Sequence, residues 1–289
     1  MKYQVRHKTT FEYRSPVLSA QHVLRLKPRS IANTQSLNRH NLTLSLPEVE
    51  TIELTDYFGN TLHQLRLFNR HDELVIDTTN EIDVHAKDEF LLELSPAWES
   101  ARDALHIPLQ PEHWQAAQFC FPSRHVAPDA TTDTFDHLFT PGKPLLRLAM
   151  DINEYIYQTF QYQGGVTDIH TPIEEVISLR KGVCQDFAHL AIGALRQRGL
   201  AARYVSGYIL SQLDSRPTLV GSEASHAWLS VFCPEFGWVD FDPTNNQITS
   251  DQHIVLAWGR DYADVAPTRG SLLGGGAQSL QVDVEVRAA

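Results

Sequence analysis

Apolar and polar side chains alternate along the first part of this chain. Tyr3, Val5, His7, Thr9, Phe11 and Tyr13 interleave with Gln4, Arg6, Lys8, Thr10, Glu12 and Arg14, the period of two that marks a half-buried strand. Ser15-Pro16 is expected to break it. Residues 22–26 predict a second strand ended by Pro28, and Leu42, Leu44 and Leu46 alternate in a third. Residues 51–57 and 61–68 flank Phe58-Gly59-Asn60, a hairpin turn signal. Residues 73–77 and 81–84 complete the set. Short strands in succession, with no convincing helix, predict an antiparallel β-sandwich over residues 1–95.

Residues 96–144 read as a connection with short helical turns, one of them over 111–119. Seven of the chain's 15 prolines fall there or at its edges: Pro96, Pro108, Pro111, Pro122, Pro128, Pro141 and Pro144. From Leu145 the period changes. Leu145, Leu148, Ala149, Ile152, Ile156 and Phe160 recur at three-and-four spacing, which predicts a helix. Pro172 opens a short helix with Thr171 as N-cap and Glu174 at the capping-box position. A further helix opens at Cys184. Phe187, Leu190, Ala191, Ala194 and Leu195 give it an amphipathic stripe, Arg196 and Arg198 fall in its last turn, and Gly199 ends it. Three strands follow, over 202–210, 225–232 and 238–241. The expected organisation is an α+β core over 145–270 and a glycine-rich tail with a closing strand over 271–289.

The chemistry concentrates at Lys181-Gly182-Val183-Cys184-Gln185-Asp186. A helix N-terminus carries partial positive charge and unused N–H groups, so a thiol there loses its proton more easily. His226 and Asp242 follow on predicted strands, and a cysteine, a histidine and an aspartate are the parts of a nucleophilic triad. A hairpin turning near Pro234 brings His226 directly opposite Asp242 if Phe232 faces Phe236 or Val231 faces Gly237. The aspartate would then accept from His226 Nδ1 and leave Nε2 for the thiol. The Cys184 backbone N–H is the natural oxyanion donor. Tyr162, a polar aromatic upstream of the helix, is the candidate second donor.

Each of these residues has a blander reading. Cys120 and Cys233 read as small buried apolar residues. His189, five residues past Cys184 and so about 140° around the helix, reads as structural. A zinc site from Cys184, His189 and His226 is poorly spaced. Asp133, Asp136 and His137 are expected to face solvent. Arg260-Asp261-Tyr262 reads either as a surface ion pair or as a wall of a substrate cleft. The case rests on the conjunction of helix-start cysteine, strand histidine and strand-end aspartate. No metal or cofactor is called for.

Charge narrows the partners. The net charge of −11 repels phosphate backbones, so nucleic acid is not an expected partner; the expectation of a protein or peptide substrate comes instead from the thiol chemistry. No apolar run of about 18 residues predicts a membrane span. Three widely spaced cysteines and charged first residues point to a cytoplasmic protein without a disulfide framework.

Four segments carry a family resemblance: Gly182-Val183-Cys184-Gln185-Asp186-Phe187-Ala188-His189, residues 202–208, Ser225-His226-Ala227-Trp228, and residues 237–244. Together they resemble the transglutaminase-like superfamily, and within it a bacterial branch of candidate cysteine proteases. Residues 259–270 extend the likeness. Tyr3, His7, Thr9, Tyr13, Pro16, Val17, Leu24, Leu26 and Pro28-Arg29 resemble the β domain that precedes such cores. The resemblance implies a papain-like α+β core and a catalytic triad of Cys184, His226 and Asp242. It leaves the reaction open, because the superfamily holds amine-transferring cross-linkers, proteases and amidases.

Overall fold

The computed structural model describes residues 1–85, 91–210, 219–221 and 225–289. Five strands come first: β1 (Lys2–Leu24), β2 (Gln35–Leu44), β3 (Glu50–Thr55), β4 (Thr61–Leu67) and β5 (His71–Val84). The connection carries α1 (Trp98–His106) and α2 (Pro111–Ala117). Then come α3 (Leu145–Thr159), β6 (Gln161–Tyr162), α4 (Ile173–Leu179), β7 (Lys181–Gly182) and α5 (Cys184–Arg196). The rest is β8 (Ala202–Ile209), β9 (His226–Cys233), β10 (Gly237–Asp242), β11 (Gln247–Ile248), β12 (His253–Gly259), α6 (Tyr262–Val265), β13 (Thr268–Gly274) and β14 (Gln278–Ala288). The α+β class holds. Among the described residues no helix is long and apolar enough to cross a membrane.

Pro16 does not end the first strand. It sits where β1 changes partners, and a residue without an N–H fits where the ladder is already interrupted. On one side β14 pairs with residues 3–13 of β1 and β13 with Val17–Leu24. On the other, β5 pairs with the first half and β4 with the second. The register slips between Glu12 and Val17. The N-terminal layer is therefore one curled antiparallel sheet whose halves share β1. Phe11, Tyr13, Val17, Leu24, Leu65, Leu74 and Ile76 fill the curl. The closing strand is present as β14, and with β13 it returns the end of the chain to the first strand.

The second sheet runs β11-β10-β9-β8-β12, with antiparallel neighbours throughout. Helices α3 and α5 cover one face. Leu148, Ile152 and Ile156 of α3 and Phe187, Leu190, Ala191, Ala194 and Leu195 of α5 pack there with Ala227, Leu229, Val231 and Phe241. Helical spacing of three and four thus meets strand spacing of two in one core. Helix α4 is capped by Pro172 without a side-chain hydrogen bond, not by Thr171. The Thr171 hydroxyl is instead engaged with Asp168. Strand β12 is missed by sequence periodicity because Ile254, Val255, Leu256 and Ala257 are all buried, which leaves no alternation to read.

β12 is an edge strand, and unpaired edges are a liability. Two side-chain amides from the N-terminal part act as a substitute strand. Gln35 donates to Val255 O and accepts from Val255 N, both at 2.8 Å. Asn60 donates to Trp258 O at 2.8 Å and accepts from Trp258 N at 3.0 Å. Tyr3, Val5, Ile82, Val84 and Val286 of the curled sheet pack against Tyr208, Leu210, Ile254 and Leu256. The two sheets are thereby joined along β8 and β12.

Candidate active site

Cys184 is the first residue of α5 and is half-buried at the margin of the main core. The short parallel pair β6–β7 delivers it, with Tyr162 paired to Gly182. Asp186 then fastens the turn. Its Oδ2 accepts from Val183 N at 2.8 Å and from the Thr167 hydroxyl at 2.7 Å. Burial raises the Asp186 pKa, and these donors oppose that. Glycine at 182 follows from the same packing, since a Cβ there would lie 2.7 Å from Asp186 Oδ2. As the first residue of the helix, Cys184 has an N–H that the helix itself does not use.

His226 and Asp242 are fully buried, and His226 Nε2 lies 2.9 Å from Asp242 Oδ2. The predicted register is corrected here. Cys233 pairs with Gly237 and Leu229 with Phe241, so the ladder stands two residues away from the one that opposes His226 to Asp242. The reason is the turn. Gly237 takes a left-handed φ of +72° and pairs with Cys233, so the three-residue connection is Pro234-Glu235-Phe236, one residue further along the chain than expected. A two-residue shift keeps both side chains on one face, and diagonal neighbours remain within reach of long side chains. The ring orientation is corrected as well. Nε2, not Nδ1, meets the aspartate. Nδ1 has no hydrogen-bond partner among the described residues, and Cys184 lies close enough to act on the charge of that ring.

Electrostatics reinforce the pair. Burial alone would lower the His226 pKa. Asp242 first, by charge and hydrogen bonding, and then Cys184 outweigh it and raise the pKa. Burial would likewise raise the Asp242 pKa, yet the His226 charge and the histidine hydrogen bonds hold it far below the usual carboxylate range. Oδ1 accepts from Thr244 N at 3.0 Å and Asn245 N at 3.3 Å. Oδ2 accepts from Asn245 Nδ2 at 2.7 Å and faces a second histidine, His253 Nε2, at 3.2 Å. Asn153 of α3 holds the Asp242 carbonyl at 3.1 Å. Gly221 closes over the ring, where a Cβ would lie 2.6 Å from His226 Nδ1.

The structure brings Cys184, His226 and Asp242 together. Tyr162 stands beside the same segment, with its ring edge-on to Phe187 at 6.3 Å. His189 lies apart from the trio. It is buried, accepts from Tyr262 N at 3.2 Å, and burial pushes its pKa down to about 3. Burial pushes the Cys120 thiol up to about 11 and raises Cys233 also. Asp133, Asp136 and His137 are exposed. Arg260 forms an ion pair with Asp264 at 2.9 Å, whereas Asp261 is buried and accepts from His125 N at 2.7 Å.

Two residues escape sequence reasoning. His253 lies on the unread strand β12. Tyr204 is buried beside Cys184, and burial first, then the Cys184 charge, keeps its hydroxyl protonated. Reading residues 254–258 as a short, fully buried strand would have brought His253 into view. Among the described residues, no group of three or more His, Cys, Asp or Glu side chains is arranged to hold a metal ion.

Comparison with known proteins identifies the family. Residues 135–243 match the transglutaminase-like superfamily, and residues 3–83 match the bacterial transglutaminase-like N-terminal region. An uncharacterized protein of Mycobacterium tuberculosis is 35% identical over 99% of this chain and 91% of its own length. The crystal structure of a candidate cysteine protease from Cytophaga hutchinsonii superposes with a TM-score of 0.77 at 23% identity, covering 99% of this chain and 90% of that one. A protein-glutamine gamma-glutamyltransferase of Pseudomonas aeruginosa is 37% identical over 134 residues, which are 44% of this chain and 20% of that protein. The chain belongs to the transglutaminase-like superfamily, in the bacterial form that carries its own N-terminal β domain.

Proposed function

We propose that this protein is a thiol-dependent hydrolase of amide or peptide bonds, working through a thioester acyl-enzyme on a protein or peptide substrate. One observation carries the reading: the helix-start thiol of Cys184 acts on a buried imidazole whose other nitrogen is held by Asp242. His226 Nδ1 takes the Cys184 proton. The thiolate attacks the carbonyl carbon, and the Cys184 N–H faces the developing oxyanion, with Tyr162 the proposed second donor. Collapse breaks the C–N bond, and the imidazolium gives its proton to the departing amine. Water then attacks the thioester and gives a proton to His226, the acid leaves, and the thiol is restored. Asp242 keeps the ring oriented and stabilises its charged form.

The likeness to the Pseudomonas glutamyltransferase favours a second reading, in which a primary amine takes the acyl group in place of water. Both share every step to the thioester. Water is the default acceptor, because excluding it needs a closed site. A peptide library incubated with and without a labelled primary amine, and read by mass spectrometry, separates the two. New acid termini or deamidated glutamines support hydrolysis. Stoichiometric amine incorporation with little free acid overturns it in favour of transfer. No product above that of Cys184→Ala leaves only a binding role for the fold.

A further inference from the structure

The donors around Asp242 permit one step more, which rests on the thiol chemistry proposed above. His253 is buried on β12, and Trp228 meets its ring edge-on at 5.4 Å while lying 6.1 Å from His226. Its Nδ1 accepts the Ser250 backbone N–H at 3.2 Å. A ring nitrogen that accepts carries no proton, so the proton of this imidazole is on Nε2. That Nε2 points at Asp242 Oδ2, 3.2 Å away. Charging His253 would put a second proton on Nδ1, against the Ser250 N–H. The Ser250 N–H thus favours the neutral ring with its proton on Nε2.

We propose that His253 is a positioning residue of the thiol site: it donates from Nε2 to Asp242 Oδ2, shares that oxygen with His226, and so keeps the carboxylate ionised while limiting its hold on the His226 ring. An oxygen with three donors is a weaker base than one with two. The proton between His226 Nε2 and Asp242 therefore stays on His226, and Nδ1 remains the nitrogen that exchanges with the thiol. The same sharing leaves the imidazolium able to release its proton to a leaving group. Among the described residues, the titratable groups that face one another here include Cys184 of α5, Tyr204 of β8, His226 of β9, Asp242 of β10 and His253 of β12. The Gln35 clip holds β12 at Val255, two residues from His253. The N-terminal sheet thereby supports the position of the second histidine.

The test is the pH dependence of Cys184 alkylation by iodoacetamide, read by mass spectrometry, in the wild type, His253→Leu and His253→Gln. Leucine removes the donor, which strengthens the hold of Asp242 on the imidazolium. The onset of thiolate reactivity then moves to lower pH, by up to about one unit. Glutamine offers an amide N–H at similar reach and returns the profile to that of the wild type. A folded His253→Leu protein whose profile stays in place or moves upward overturns the proposal, as does a His253→Gln protein that tracks the leucine variant. If the leucine variant does not fold, imidazole nitrogen NMR of the wild type decides. A neutral His253 protonated on Nε2 at pH 7 is expected, and an imidazolium or an Nδ1–H form overturns the proposal. Failure of the thiol reading itself looks different: wild-type Cys184 then alkylates no faster than Cys120 and Cys233, and the NMR measurement still decides the role of His253.

Discussion

His226 meets Asp242 through Nε2, 2.9 Å from Oδ2, although the two residues are not opposed in the β9–β10 ladder. The contact is a diagonal one across a hairpin whose turn ends at the left-handed Gly237. It turns Nδ1 toward the start of α5, where the thiol is. Asp242 acts on the thiol through this ring, so its charge and not its bulk carries the effect. Asp242→Asn keeps the shape and removes the charge. We expect a folded protein whose turnover falls on the order of 10⁴-fold, since loss of the orienting carboxylate in comparable triads costs about that much. A peptide-cleavage or amine-incorporation assay, alongside circular dichroism, checks this.

Gly221 tests the same ring from the other side. Its φ is +95°, and a Cβ would sit 2.6 Å from His226 Nδ1. Gly221→Ala is expected to displace the imidazole and lower turnover by about 10²-fold, the usual cost of misplacing a catalytic group by an ångström. The melting temperature should move little, because Gly221 lies outside the buried cores. A large loss of stability with unchanged turnover per folded molecule would contradict this.

The clip on β12 predicts a stability effect remote from the chemistry. Gln35→Leu leaves the Val255 N–H and C=O without their amide partner. Each unsatisfied buried backbone group costs about 1–3 kcal/mol, so a loss of roughly 2–6 kcal/mol is expected for the two. Urea unfolding followed by tryptophan fluorescence measures it. Unchanged stability would show that the two sheets are held by apolar packing alone.

Acid should weaken the curled sheet. Burial lowers the His7 pKa from 6.5 to about 4, and it lowers His22, His40 and His63 as well. A histidine with a depressed folded pKa stays neutral in the fold and takes up a proton on unfolding. Its contribution is present above the unfolded value and lost as pH falls through the folded one. His7 alone removes on the order of 3 kcal/mol between pH 6.5 and 4. His226 has the opposite sign. Its pKa is raised, so its contribution is already complete below the unfolded value and declines only as pH rises through the folded one. It cannot offset the loss in acid. Melting temperatures from pH 7 to 4 check the slope, and a flat profile would contradict it.

Much of this was legible in the sequence, for physical reasons. Cys184 stands out because glycine, a helix start and an amphipathic stripe coincide. His226 and Asp242 share a face because strand side chains alternate, which survives a two-residue error in register. The register was not legible, because it depends on the left-handed turn at Gly237. Nor was the ring orientation, which the diagonal contact sets. His253 stayed hidden because residues 254–258 are apolar without alternation and β12 is brought to the site by its long-range pairing with β8. Pro16 misled for a different cause: a strand can continue past a proline where it exchanges partners. The return of β13 and β14 to β1 spans nearly the whole chain, and local pattern carries no trace of so distant a pairing.

The most direct test compares the three thiols in one sample. Wild-type protein is treated with limiting iodoacetamide at pH 7, and the labelling rates of Cys184, Cys120 and Cys233 are read by mass spectrometry. Burial raises the pKa of both Cys120 and Cys233, so they should react slowly. Cys184, coupled to His226, should react at least ~10-fold faster, an advantage that His226→Ala removes. Equal rates at all three cysteines, or a Cys184 rate indifferent to His226→Ala, would contradict an activated thiol at this site.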